Sequence, residues 1–264
     1  MWRKIELLLR VSSVVPRYWL DGVLFRLVGN VSELERFRNI HKGRPMLVVG
    51  NGPSLKRTPL NILSHVPSIG MNKINILFPQ TQWRPNYIMC INNLVVKQNR
   101  NFFETSAIPL FIAFKSRWFL NWKKNRMLRL FNINVSDSFS PEFPSGVGRG
   151  SSVSYAALQM AYFMGANPVV IFGIDHRFKS ESGKKLMVEK MEKDDENHFH
   201  PDYFKGQKWG VPDLDNDRRL FRMAKAAFEA DGREILDATI DGALPVFRKV
   251  SVDEAIEICC ASGQ

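Results

Sequence analysis

Two stretches of this 264-residue chain bring together residue types that can do chemistry. In LVVGNGPSL, residues 47–55, an apolar run delivers Gly50, Asn51, Gly52, Pro53 and Ser54 to a turn. Glycines permit close backbone approach, Asn51 offers an acceptor and donors, and Ser54 suits capping a following helix or holding an anion near its amino end. The second stretch, NHFHPDYF, carries His198 and His200, side chains that change charge near neutral pH. A histidine base can take a proton from an acceptor hydroxyl, and a phosphate leaving beside it needs cations, for which Arg149, Lys73, Lys205 and Lys208 are candidates. The turn is neither GxGxxG nor a Gly-Lys-Ser/Thr loop, so dinucleotide and P-loop chemistry are not supported. The histidines with Asp194, Asp195 and Asp202 also have a metal reading, but ligands are usually better separated, and no metal site is assigned.

Such residues need a frame. Buried runs predict strands at 46–50, 66–72, 86–93, 108–114 and 167–178 and at EILDAT, and apolar periodicity predicts helices over 151–166 and from 215 to Gly232. The strands end in small polar residues, which places Asn72, Gly173 and Asp175 at the carboxyl edge of a sheet, where open α/β folds bind ligands. His176 reads as a hydrogen-bonded structural histidine as readily as a ligand contact. Trp118, Phe119 and Trp122 before KKNRMLR read as an exposed basic helix with an apolar underside. Residues 179–210 are polar and too long for an ordinary connection, as in a lid.

The formal charge of +11 and a pI near 9.7 favour anionic partners. No zinc-finger spacing, aromatic RNP-like box or helix-turn-helix pattern supports nucleic acid as one of them. Three cysteines, Cys90 and the adjacent Cys259 and Cys260, give no disulfide framework and suit the cytoplasm. No apolar run approaches the ~20 residues that span a bilayer, and the first thirty residues lack a signal-peptide pattern. Residues 1–30 mix Trp and Leu with Arg and Lys, which fits either helices packed on the domain or peripheral contact with an anionic membrane at its inner face.

GNGPSL, GMNKINILF, GRGSSVSYAALQMAYFMGA, VVIFGIDHRF and NHFHPDYF, in that order, resemble the 6-hydroxymethylpterin diphosphokinase-like (DUF115) family over roughly residues 35–250. The same succession is similar, at the motifs alone, to the bacterial sialyltransferases of glycosyltransferase family 42. That resemblance implies an α/β, Rossmann-like, mostly parallel sheet with helices on both faces. A helical extension (1–42) would precede the catalytic domain (43–250) with its lid (179–210), and a tail (251–264) would follow. It implies donor contacts from Asn51 and Asn72 within a site that includes Gly50, Gly52, Ser54, Gly173 and Asp175. Arg149, Ser151 and Ser152 would face donor phosphate or carboxylate, and Tyr203 would hold the phosphate. The base would be His200 or His198, the His-x-x-x-His spacing of the sialyltransferases being two residues shorter here. The expected activity is glycosyl transfer from a CMP-linked acidic sugar to a glycan acceptor in surface-glycan synthesis, with no required cofactor. Two alternatives stand beside it: ATP-dependent pyrophosphoryl transfer to a pterin alcohol, with Mg²⁺ on Asp175 and Asp194, Asp195 or Asp202, and a non-catalytic nucleotide-binding protein.

Overall fold

The computed structural model describes residues 18–27, 29, 31–150, 152–180 and 187–261. Ser151, one of the expected phosphate-facing residues, and the basic-aromatic residues before 18 lie outside these. The strands are Met46–Val49 (β1), Ser68–Met71 (β2), Tyr87–Cys90 (β3), Leu110–Ala113 (β4), Leu128–Phe131 (β5), Val169–Phe172 (β6), Val188–Lys190 (β7), Lys208–Gly210 (β8), Ile235–Asp237 (β9) and Arg248–Lys249 (β10). Eight of them form one sheet in the order β10-β9-β6-β1-β2-β3-β4-β5, with every neighbouring pair parallel. Every residue of β1, β4 and β6 is buried, and strands covered on both faces read as unbroken apolar runs. The sheet is the expected α/β, Rossmann-like arrangement. From β1 the chain steps outward through β5, then returns to lay β6 on the other side of β1. At that reversal the loops leaving β1 and β6 diverge and open a crevice at the carboxyl edge.

Residues 18–27 are helical (α1), and Val31–Glu35 (α2), Asn93–Gln98 (α3), Arg100–Thr105 (α4), Val153–Phe163 (α5), Leu214–Ala230 (α6) and Val252–Ala261 (α7) follow. α5 is capped by Ser152, whose side chain accepts from Ser154 N, and it packs across β1, β2 and β3. α6 starts at Asp213, which accepts from Asn216 N, and lays Leu220, Phe221, Ala224 and Phe228 inward. Gly232, at a φ of 66°, takes the left-handed turn that ends it.

Two segments differ from expectation. The basic run after Trp122 is a turn, not a helix, and it leads into β5, where Leu128, Leu130 and Phe131 are buried while Arg129 turns out to Glu33. The charges precede the strand and hide it. Residues 252–261, read as tail, form α7, which buries Ala255 and Cys259. The described part of the amino-terminal extension packs on the domain, one of its two expected readings: Phe25 of α1 is buried edge-on to Phe114 at 5.3 Å, and Asp21 pairs with Arg117 at 2.8 Å. Trp19, Leu20 and Leu27 face outward, and among the described residues no helix is long and apolar enough to cross a membrane.

The segment between β6 and α6 packs its aromatic residues into the main core. β7 and β8 pair as an antiparallel hairpin, and Phe199, Tyr203, Phe204 and Trp209 are buried beside it. Asn197 ties its two ends, accepting from Lys179 N at 2.7 Å and donating to Lys179 O at 2.9 Å.

Candidate active site

The turn after β1 and the turn after β6 touch through their backbones. Gly50 N donates to Phe172 O at 2.7 Å, and Gly52 N donates to Gly173 O at 2.8 Å. A Cβ on Gly50 would be driven into the Gly173 carbonyl, and one on Gly52 into the Asp175 carboxylate, closer than real Cβ contacts come. That contact is why both positions are glycine. Ser54 does not cap a helix: Gly52 stands at the N-cap of the short 3-10 turn Pro53–Arg57. Ser54 instead clamps Asp175, donating from its N at 3.1 Å and from Oγ at 2.8 Å. Burial pushes the Asp175 carboxyl above its ordinary value, and these two bonds oppose the rise.

A cavity of about 170 Å³ opens where the two turns part. Gly50, Asn51, Gly52, Asn72, Ser152, Gly173 and Asp175 all line it, so most of the sequence-predicted donor residues are brought to one place. Asn51 Oδ1, Asn72 Oδ1 and His176 Nε2 are buried there with no hydrogen-bond partner among the described residues. Asn51 and His176 are 9% and 7% exposed, and leaving such atoms unpaired costs about 1–3 kcal/mol each. Asn72 and His176 also hold φ angles of 54° and 55°, a left-handed conformation that non-glycine residues seldom adopt and that clusters at binding sites. Burial, then Arg218 and Lys249, depress the His176 pKa, so its ring is neutral at neutral pH. The amino end of the eleven-residue α5 opens on the same cavity through Ser152, Val153 and Ser154. The arrangement offers acceptors for a base or sugar and helix amides for an anion.

The lid closes over this floor. Phe199 N donates to Asn51 O at 2.9 Å, which docks the histidine segment on the glycine turn. His198 lines the cavity; its Nδ1 lies 2.8 Å from Asp195 Oδ2, and its ring stacks on Tyr203 at 4.1 Å and 2°. The Asp195 side chain is fully buried and also accepts from Asn197 N at 2.9 Å. A carboxylate at Nδ1 makes that nitrogen the protonated one and leaves the lone pair on Nε2. His200 is placed otherwise. It does not line the cavity, its side chain is 26% exposed against 12% for His198, and its Nδ1 accepts from Asp202 N.

The remaining candidates are committed elsewhere. Arg149 pairs with Asp137 at 2.9 Å, outside the cavity lining, and Lys205 pairs with Asp194 at 2.7 Å. Tyr203 is buried beneath His198, its hydroxyl accepting from Lys73 N at 3.2 Å, and burial raises its phenol far above the ordinary range. Lys73 is a strut between the floor and the lid, donating from Nζ to Tyr203 O at 2.8 Å and Gln207 Oε1 at 2.7 Å. Burial brings its pKa down to about 8, against the pull of Asp195 and Cys90. The folded protein therefore releases this proton at lower pH than the unfolded chain does, and its stability rises with pH from about 8 towards the ordinary lysine value of 10.5. Melting curves of the wild type and Lys73→Met should show the wild type gaining up to about 2 kcal/mol relative to the variant across that window. A constant difference from pH 7 to 10 would refute the assignment.

Asp195, Asn197, Arg177 and Asp217 join the site without having been picked out for it. The sequence offers Asp195 as a metal ligand only, and its i, i+3 spacing to His198 is the signal for its other role. Arg177 lies in the GIDHRF stretch, two residues after Asp175.

The family model for 6-hydroxymethylpterin diphosphokinase MptE-like proteins matches residues 25–181. Among solved structures, the MAf glycosyltransferase from Magnetospirillum magneticum AMB-1 is similar at 14% identity and a TM-score of 0.49, over 88% of this chain and 42% of that one. This chain thus spans less than half the length of that protein. A mammalian sialyltransferase in complex with Gal-beta-1-3GalNAc-ortho-nitrophenol is similar at 14% identity and a TM-score of 0.41, over 87% and 86% of the two chains. No curated protein matches the sequence. The family match spans more than half of the chain, from α1 across the glycine turn and β6 to the start of the lid, and the protein belongs to the 6-hydroxymethylpterin diphosphokinase MptE-like family.

Proposed function

We propose that the protein transfers an acidic sugar from a CMP-linked donor to a hydroxyl of a glycan acceptor, with His198 as the general base. The observation that carries the reading is the buried Asp195–His198 pair facing a cavity lined by the unpartnered amides of Asn51 and Asn72. His198 Nε2 takes the acceptor's hydroxyl proton as the acceptor oxygen bonds the anomeric carbon. The bond from that carbon to the phosphate oxygen breaks, and CMP leaves with the electron pair. The CMP-linked donor is supported by the sialyltransferase-like motifs at Asn51 and Asn72.

Family membership favours a second reading, pyrophosphoryl transfer from ATP to a pterin alcohol. That chemistry uses Mg²⁺ gathered by carboxylates and phosphates. The carboxylates expected for it do not converge: Asp175 is clamped by Ser54, Asp194 by Lys205 and Asp195 by His198 and Asn197, and Asp202 lies outside the cavity lining. Among the described residues no group of three or more His, Cys, Asp or Glu is disposed to hold a metal ion.

Calorimetric titration with CMP, CDP, ATP and UDP, each with Mg²⁺ and with EDTA, separates the two. The expected result is metal-indifferent binding that prefers CMP, weakened about tenfold in Asn51→Ala. Binding of ATP alone, dependent on Mg²⁺, would transfer the assignment to the diphosphokinase.

A further inference from the structure

Among the described residues that line the cavity, Arg177 is the one lysine or arginine. Its guanidinium makes no hydrogen bond or ion pair with the described residues, whereas the cations favoured from sequence, Arg149, Lys73 and Lys205, are tied down elsewhere. Arg177 also faces a second cavity, of about 400 Å³, which shares Asp175, Arg177, Phe178 and Asn197 with the first. The other cations of that second cavity are paired, Arg57 with Asp241 at 2.6 Å and Lys179 with Glu196 at 2.6 Å. One unpaired guanidinium therefore stands in the wall between two cavities.

The charge of the first cavity limits what that guanidinium can serve. Despite the chain's +11, the described lining of the first cavity offers one lysine or arginine, Arg177, beside the Asp175 carboxylate. A nucleoside di- or triphosphate would bring several negative charges to that one guanidinium. The phosphodiester of a CMP-linked donor places one charge there, apart from the sugar's own carboxylate, and an arginine fork matches it.

We infer that Arg177 binds the phosphate of a nucleoside monophosphate ester at the junction, with the nucleoside in the first cavity and the second substrate in the cavity beyond Asp175. This rests on the nucleotide-donor reading above. The reacting bond would then lie at the shared wall, with His198 on the first-cavity side. Phe178, 38% exposed and lining both cavities, provides an aromatic face there of the kind that sugar rings pack on.

The test is calorimetric titration of wild type, Arg177→Ala and Arg177→Lys with cytidine, CMP and CDP in EDTA, which needs no turnover. In the wild type, CMP should bind about 10–100-fold more tightly than cytidine, as expected of a charge-assisted contact. In Arg177→Ala the two should bind within about threefold of each other with the cytidine affinity unchanged, and Arg177→Lys should recover part of the preference. An Arg177→Ala protein that keeps the full preference for CMP would overturn the proposal, as would wild type that binds CDP more than about tenfold tighter than CMP. Wild type that binds none of the three overturns the nucleotide reading itself, a result distinct from either.

Discussion

His198→Ala is expected to slow transfer about a thousandfold while nucleotide affinity stays within about threefold of wild type, and His200→Ala to leave both nearly unchanged. The contrast follows from what each ring touches. His198 is held on both sides, by Asp195 at Nδ1 and by the Tyr203 ring beneath it, and only its Nε2 edge is left for substrate. Removing it leaves the asparagines, Asp175 and the α5 amino end in place, which is why binding survives. His200 lies two residues further on, with its Nδ1 occupied by the Asp202 amide. Release of CMP from a CMP-linked nonulosonic acid, followed with acceptor present, gives the rates. Full turnover in His198→Ala together with loss in His200→Ala would reverse the assignment.

Gly50→Ala is expected to be as damaging to the fold as His198→Ala is to turnover. The added methyl would meet the carbonyl oxygen and carbon of Gly173, both backbone atoms that no rotamer change can move aside. Relief requires β1 and β6 to part at the Gly50 N to Phe172 O bond, in the centre of the sheet. Overpacking and a weakened ladder bond together should cost about 3 kcal/mol, which for a chain of this size lowers the melting temperature by roughly 6–12 °C. Gly43→Ala is the control, since a Cβ there meets nothing within 4 Å although its φ of 69° adds local strain. A Gly50→Ala protein that melts with the wild type would mean that the two turns do not touch as described.

The central strands were legible because burial on both faces leaves an unmistakable apolar run, as in MLVV, LFIA and VVIF. β5 was not, because Arg129 interrupts its pattern and a basic turn precedes it, and β10, the two exposed residues Arg248 and Lys249, carries no apolar signal at all. In the site, residues at strand ends were readable from type alone: Asn51, Asn72 and Asp175 stand where a parallel sheet must present them. The lid was not, because its two short strands, β7 and β8, carry little apolar signal and the histidine segment between them is irregular. Which of two histidines two residues apart faces inward depended on a buried carboxylate three positions earlier and on a tyrosine to stack against. The cations were misjudged for a related reason. Spacing shows that Arg149 and Lys73 are near the site, but not that Asp137 and the lid carbonyls have already claimed them.

The neighbours that meet at the crevice are far apart along the chain. Ser54 and Asp175, joined by two hydrogen bonds, are separated by 121 positions, and β1 waits for β6 over the same interval. At ribosomal speeds that is on the order of ten seconds, during which β1 to β5 can form while one long side of β1 is bare and the glycine turn has nothing to rest against. The nascent first half is thus an open sheet with a sticky central edge, the kind of intermediate that chaperones guard. Binding competence cannot precede the docking of β6, which brings Gly173, Asp175 and His176 to the glycine turn.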